Sequence, residues 1–348
     1  MKPPNPATKL RSKPDSHPPS SSRSSEDHGG GAVTTAQQVR VDQESEGQRI
    51  DNFLLRAVKG VPRSHVYRIL RRGEVRVNKG RVKATYRVRA GDLVRIPPLR
   101  LGEAAPVGRP SDAHLARLDA GVLYEDERLL VLDKPSGLAV HGGSGLSYGL
   151  IESLRQLRPG RELELVHRLD RETSGCLVVS KRRSALRELH RIIREGAMGK
   201  RYLALMAGEL PRQEVLVDVP LRKNVLRSGE RLVEVDRAEG KEARTRFRRQ
   251  ARFFFRGRPL TLVEAELMTG RTHQIRVHAA HLGAPLAGDP KYGDDALNRA
   301  LKEVGLTRLF LHASALSFRL GDMPRPLRVE APLPGELQRV LDALEAAP

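Results

Sequence analysis

Residues 163–179 read Leu-Glu-Leu-Val-His-Arg-Leu-Asp-Arg-Glu-Thr-Ser-Gly-Cys-Leu-Val-Val: two short apolar runs joined by a charged stretch. Each run has the length and composition of a strand, so the charged stretch between them has to turn. This spacing predicts a strand–turn–strand unit with its turn at a sheet edge. The turn holds one carboxylate, Asp170, between two guanidinium groups, Arg168 and Arg171. Arginine at that range favours an ionised carboxylate at neutral pH, which suits a nucleophile or a base. The same residues also describe a surface aspartate paired with arginine in a loop, a common structural feature.

The charge of the chain narrows the partner. Over 348 residues there are 62 Lys and Arg against 42 Asp and Glu, a net of +20. That length allows a sizeable core and two domains. The excess is not spread evenly. Residues 1–48 hold six basic and six acidic residues, whereas residues 49–100 hold 15 Lys and Arg against 3 Asp and Glu, a net of +12. Charge so one-sided would repel itself without a counter-anion, which points to a polyanion such as nucleic acid rather than to a merely solvated face. The rival, a basic peripheral membrane protein, gains nothing from hydropathy: no apolar run reaches the ~18 residues a span needs. The N-terminus carries no hydrophobic signal core, so a cytoplasmic protein is expected. Cys176 is the single cysteine, which excludes an internal disulfide and a cysteine-rich zinc site.

Composition and periodicity divide the chain. Residues 1–46 are rich in Pro, Ser and Gly and poor in large apolar residues, and read as a disordered tail. From residue 47 to 100 a folding pattern appears. Ile50, Phe53, Leu54 and Val58 have helical spacing, broken at Pro62; Val66, Ile69 and Leu70 mark a second helix, capped by Ser64 and stopped at Gly73. Strand-like runs follow, with a turn at Asn78-Lys79-Gly80. Two helices and a small sheet present Arg63, Arg68, Arg71, Arg72, Arg76, Lys79 and Lys83 for phosphate contacts. Phe and Tyr are too scarce for a base-stacking sheet, so shape and phosphate readout is expected. Residues 101–118, with Pro106, Gly108 and Pro110, read as a linker.

Residues 119–348 form the larger domain. Two strands flank an acidic turn at 125–128 and end at Lys134-Pro135-Ser136-Gly137. The glycine-rich stretch from His141 to Gly145 lacks the ending of a phosphate-binding loop and reads as a substrate-side loop with unusual backbone angles. Leu186, Leu189, Ile192 and Ile193 make one face of a helix that Gly196 stops, and residues 200–208 alternate as a strand carrying Tyr202. Phe253, Phe254 and Phe255 are read as core, and Lys241, Arg244, Arg246, Arg248 and Arg249 as a basic run facing RNA or solvent. Thr272 is placed as the cap of a helix with Ile275, Ala279 and Leu282 on its apolar stripe and Arg276 one turn in. His273, His278 and His281 invite a metal reading, but they lack the Glu-centred spacing of zinc hydrolases. Gly143-Ser144-Gly145 lacks the spacing of a nucleophile elbow. Two-carboxylate glycosidase chemistry needs a second acid, for which Asp289 or Glu172 could be named but no motif selects either. A closing helix is expected over 335–347.

The stretch His-Arg-Leu-Asp-Arg-Glu-Thr-Ser-Gly at 167–175 resembles the catalytic motif of the RluA-type RNA pseudouridine synthases. The resemblance runs from about residue 47 to 334, and residues 47–100 resemble the small RNA-binding module of ribosomal protein S-four. It implies an α+β fold: a catalytic domain built on a mixed, mainly antiparallel sheet, preceded by a small α/β RNA-binding module and the tail. It implies isomerisation of uridine to pseudouridine with Asp170 as the catalytic carboxylate. Arg168 would fill the space left by the flipped base, Tyr202 would stack on the base, and Arg276 would pair with Asp170. It implies neither a cofactor nor a metal. Stretches such as 140–145 and 182–186 look like the C-type branch, whose substrates are three uridines of 23S ribosomal RNA. A sister branch with the same domain order acts on the helix 69 stem-loop. A monomer is expected. The alternatives are a non-enzymatic RNA-binding assembly factor that keeps the fold, and a basic nucleoside or sugar hydrolase.

Overall fold

The computed structural model describes residues 35–58, 61, 63–99, 110–142, 148–225, 231–321 and 323–346. They fall into two compact units, 35–41 with 47–99 and 42–46 with 110–346.

In the first unit, helices α1 (Ile50–Ala57) and α2 (Arg63–Arg72) pack beside a four-stranded antiparallel sheet. Its strands are β1 (Gln37–Arg40), β2 (Arg76–Val77), β3 (Gly80–Arg81) and β4 (Leu93–Ile96), ordered β1-β4-β2-β3. The helical apolar stripe Ile50, Phe53, Leu54, Val66, Ile69 and Leu70 is buried against Val77, Val94 and Ile96. Asn78 and Lys79 both have positive φ, 48° and 69°, which closes the β2–β3 hairpin with a two-residue turn. Two expectations need correction. The unit begins before residue 47, because β1 pairs with β4 and alternates Val39 and Val41 into the core. An edge strand needs only its backbone and one apolar face, so a polar composition did not reveal it. Helix α2 starts at Arg63, which places Ser64 inside its first turn rather than at the cap.

The second unit opens with α3 (Asp112–Ala120), β5 (Val122–Glu125), β6 (Leu129–Lys134), α4 (Leu150–Leu157), β7 (Glu164–Leu165), β8 (Ser174–Ser180) and α5 (Arg183–Arg194). There follow β9 (Gly199–Ala207), β10 (Glu214–Asp218), β11 (Leu221–Val225), β12 (Arg231–Val235), β13 (Arg244–Phe255) and β14 (Arg258–Leu267). The chain closes with α6 (Gln274–His281), α7 (Asp295–Leu301), β15 (Leu311–Phe318), β16 (Leu327–Glu330), α8 (Gly335–Asp342) and β17 (Glu345–Ala346). Among the described residues one large sheet runs β10-β13-β14-β9-β15-β8-β6-β5, with β7, β16 and β17 added alongside; β11 and β12 form a separate hairpin. The β8–β15 pair is parallel and the other pairings are antiparallel, the mixed, mainly antiparallel sheet expected of an α+β fold.

The central strands explain their own sequence. All seven residues of β8 are buried, so it reads as a continuous apolar run rather than an alternating one. Cys176 and Val178 pack on one side with Leu129, Val131 and α5 residues Leu189 and Ile192. Leu177 and Val179 pack on the other with Leu130, Leu132 and Tyr202. Gly175, at φ 107°, lies where a Cβ would come within 2.3 Å of the Ala313 carbonyl oxygen, so only glycine allows β8 and β15 to meet there.

The charged turn is not at an outer edge. One side of β8 is shared: its first residues pair with β15 and its last with β7. The turn emerges where those two neighbours part, inside the sheet. Other expectations also shift. Residues 112–118, read as linker, belong to α3, which Ser111 caps through the His114 N–H and which buries Leu118. Thr272 does not cap α6; the preceding residue is His273, in the left-handed region at φ 53°. The last helix ends at Asp342, and Glu345–Ala346 pairs with β13 instead. Phe253 and Phe255 pack on the core beneath α7 and α8 but are only partly buried. Residues 1–34 of the expected tail, residue 100 of the expected module, 101–109 of the expected linker and 143–145 of the glycine-rich stretch lie outside the described residues.

Candidate active site

The turn carrying Asp170 is pinned from below. The Thr173 N–H donates to the Asp170 carbonyl at 3.1 Å, and Leu169 is buried in the core. His167 Nε2 accepts from the Val178 N–H at 3.1 Å, and burial pushes that imidazole down to about 3, so it is neutral. A second loop grips the turn from the side. Lys134 Nζ donates to the carbonyls of Pro135, Leu138 and Arg171 at 2.8, 2.9 and 3.0 Å. The Ser136 hydroxyl donates to the Glu172 carbonyl at 2.7 Å, and the Gly137 N–H to that of Arg171 at 2.9 Å. This is the work of the Lys-Pro-Ser-Gly stretch.

With its neighbours fixed, Asp170 faces a cavity of about 800 Å³ that is also lined by Arg168, Tyr202, His273 and Arg276. All four residues singled out for the chemistry therefore meet in one place. Their pairings differ from expectation. Neither flanking arginine pairs with Asp170. Arg171 turns away, donating to the Gly137 carbonyl at 3.0 Å and lying 3.6 Å from Glu172. Arg168 is exposed, and its side chain makes no hydrogen bond or ion pair among the described residues. The groups near Asp170 come from α6 and the residue before it: Arg276 Nη1 lies 3.9 Å from Oδ2, and His273 Nε2 lies 3.8 Å from the same oxygen.

Arg276 has a closer partner. Its Nε and Nη2 donate to Oδ2 and Oδ1 of Asp289, both at 2.7 Å, in a bidentate pair. Asp289 is fully buried and also accepts from the N–H groups of Lys291 and Tyr292. Burial is the largest influence and works against its charge, yet the Arg276 hydrogen bonds and charge, together with the Lys291 and Tyr292 N–H groups, outweigh it and hold the carboxyl below its ordinary value. The Arg276 guanidinium also stacks on the Tyr292 ring at 5.0 Å. Asp289 thus orients an arginine and is not a second catalytic acid; Glu172 does not line the cavity.

Tyr202 is buried, with its ring against the cavity, and burial beside Asp170 pushes its phenol up, so it stays protonated at neutral pH. Arg194, Lys200, Arg244 and Arg271 add positive charge to the cavity wall, opposed by Glu195 and Glu242. The expected basic run on β13 is largely neutralised: Arg246 and Arg248 pair with Glu214 on β10 and with Glu266 and Glu264 on β14. His278 is buried between Thr245 Oγ1 and the Val219 carbonyl, which fully occupies its ring.

In the first unit Arg68, Arg71, Arg72, Lys79 and Lys83 are exposed and Arg76 is half-buried. Arg63 opens α2. Arg72 lies 3.8 Å from Glu74, and Arg68 donates to the His65 ring.

Asp170 thus lies in a cleft whose lining is rich in positive charge. Residues 128–281 match the RNA pseudouridylate synthase model, and residues 48–94 the S4 domain. The chain is 53% identical over 313 residues to ribosomal large subunit pseudouridine synthase C of Escherichia coli (strain K12), covering 89% of this chain and 97% of the relative. The chain belongs to the RNA pseudouridylate synthase family. The Pasteurella multocida (strain Pm70) enzyme of the same name is 51% identical over 311 residues, covering 88% of this chain and 94% of the relative. Among solved structures, human RNA pseudouridylate synthase domain containing 1 superposes with a TM-score of 0.55 at 25% identity, covering 68% of this chain and 91% of that one. This synthase is therefore an isomerase acting on RNA, with an RNA-binding module ahead of its catalytic domain.

Sequence reasoning missed the roles of Lys134, Asp289 and Tyr292. Lys134-Pro135-Ser136-Gly137 and Gly288-Asp289-Pro290-Lys291-Tyr292-Gly293 both stand out as turn-rich, but nothing in their spacing says which neighbour they hold.

Proposed function

We propose that this synthase isomerises uridines of 23S ribosomal RNA, with C-type specificity for three uridines around the peptidyl-transferase region. Support comes from the relatives' name, which specifies the large ribosomal subunit, and from their match along nearly their whole length. The observation that carries the chemistry is that Asp170 lines one cavity with Tyr202 and Arg276 and has Arg276 Nη1 3.9 Å away.

The target base leaves the stack to reach Asp170. Arg168, exposed and with no side-chain partner among the described residues, takes the vacated position. Asp170 acts at the ribose, by attack at the anomeric carbon or by removal of a sugar proton. The bond from N1 to the anomeric carbon breaks, uracil turns, and a bond from carbon five forms. Carbon five loses a proton and N1 ends with one, so atoms balance without a co-reactant. Tyr202 stacks on the base. Arg276, anchored by Asp289, holds positive charge beside Asp170. The S4 module grips RNA phosphates through Arg68, Arg71, Arg72, Arg76, Lys79 and Lys83, with Arg63 at the start of α2.

We further propose a cytoplasmic monomer; among the described residues no helix is long and apolar enough to cross a membrane. Mapping pseudouridines in the large-subunit ribosomal RNA of a deletion strain tests the target. Loss of three sites near the peptidyl-transferase region supports C-type specificity. Loss confined to the helix 69 stem-loop assigns the sister specificity, and an unchanged map leaves the assembly-factor reading.

A further inference from the structure

His273 sits at a strained place for a reason the fold makes visible. It precedes α6 with φ 53° and ψ 20°, a left-handed conformation that is uncommon for a residue with a side chain. That backbone turns its ring between Asp170 and Tyr292. Nε2 lies 3.8 Å from Asp170 Oδ2, and Nδ1 lies 2.9 Å from the Tyr292 hydroxyl. The hydroxyl already has a donor on its other side, the Val233 N–H of β12 at 3.0 Å.

These contacts suit one arrangement of protons. The Tyr292 oxygen accepts from Val233 and keeps its own proton, which it can give to Nδ1. Nδ1 is then the acceptor, and in a neutral ring the proton must sit on Nε2, the nitrogen that faces Asp170. Tyr292 is itself held in place: its ring lies under the Arg276 guanidinium, and its N–H donates to Asp289 at 3.1 Å.

The carboxylate Oδ2 is thus approached by two N–H groups, one from His273 and one from Arg276, at 3.8 and 3.9 Å. Both distances exceed a hydrogen bond. A closure of about 1 Å would bring both donors onto this one oxygen and leave Oδ1 facing the substrate. Catalytic hydrogen bonds that are long in a free enzyme tighten in this way in the complex.

We infer that His273 is a positioning residue for Asp170: the Val233–Tyr292 hydrogen-bond relay locks its ring with the proton on Nε2, and that N–H aims the carboxylate together with Arg276. The inference rests on the proposed role of Asp170 as the catalytic group. Nothing in the Thr-His-Gln sequence indicates it, because the partners come from the β11–β12 hairpin and the loop after α6.

Three variants and one spectrum test it. His273→Asn keeps a residue that tolerates the left-handed region, and its side-chain amide can still meet Tyr292 but cannot reach Asp170. A single-turnover rate about tenfold to a hundredfold lower, with RNA Kd and melting temperature unchanged, is expected. His273→Gln, which can place an N–H near the Nε2 position, should recover part of that loss. Tyr292→Phe removes the relay and should lower the rate while RNA Kd holds. The ¹⁵N spectrum of the free wild-type enzyme near pH 8 should show His273 protonated on Nε2 and bare on Nδ1. A proton on Nδ1, or wild-type turnover by His273→Asn, would overturn the inference. Asp170→Asn is assayed in parallel. If it is inactive while His273→Asn is fully active, only the role of His273 falls; if Asp170→Asn turns over normally, the reading of Asp170 falls first.

Discussion

Arg276 grips Asp289, not Asp170, through two hydrogen bonds of 2.7 Å. The arginine is almost wholly buried and Asp289 entirely so. A charge in that position is tolerated only while it is paired, and the pair directs the remaining nitrogen, Nη1, towards Asp170. The Gly-Asp loop before α7 therefore belongs to the active site although it does not line the cavity.

Asp289→Asn keeps the shape of the loop and removes the charge. It should cost about 3 kcal/mol of stability, because a buried guanidinium loses its counter-ion. Turnover should fall as well, since Nη1 is no longer aimed. Urea denaturation alongside tritium release from uridine-labelled RNA measures both. Unchanged values in each would show that the pair is dispensable.

Acid should destabilise the protein well above the carboxylate range. His278 and His312 are fully buried, and burial pushes each imidazole down to about 4. The unfolded chain binds protons at its ordinary histidine value of 6.5, so it takes up more protons than the native state between 6.5 and about 4. Stability is then full above pH 6.5 and lost as pH falls through that window. Each histidine should contribute a loss of roughly 2 kcal/mol between pH 7 and pH 5. Denaturation midpoints measured from pH 8 to 5 check this, and His278→Gln with His312→Gln should flatten the curve.

RNA affinity should depend steeply on salt through the first unit. Arg71, Lys79 and Lys83 are exposed cations with no acidic partner among the described residues. Changing all three to Gln should weaken binding and reduce the slope of log Kd against log salt by roughly 2 to 3. Filter binding across a potassium chloride series measures the slope. An unaltered slope would move the RNA grip elsewhere.

Much of this was legible in the chain itself, for physical reasons. The apolar stripes of α1, α2 and α5 and the runs of β6 and β8 report burial directly, because periodicity follows from which face is covered. Asp170, Tyr202 and Arg276 were reachable through the wording of their motifs, and they do line one cavity. What the sequence hid is pairing across distance. Arg171 looked like a partner of Asp170 because it is adjacent, yet successive residues in a turn point different ways, and it reaches Gly137 instead. The position of β1 was hidden because an edge strand is held by its backbone. His273 and Asp289 act through contacts supplied by β12 and by the loop after α6, which no local spacing encodes.

The most direct test is tritium release from 23S ribosomal RNA labelled at carbon five of uridine, comparing the wild type with Asp170→Asn. The wild type should release label and leave pseudouridine in the RNA, while Asp170→Asn should bind that RNA with similar affinity, melt at a similar temperature and release none. Normal release by Asp170→Asn, or free uracil in place of pseudouridine from the wild type, would contradict the account.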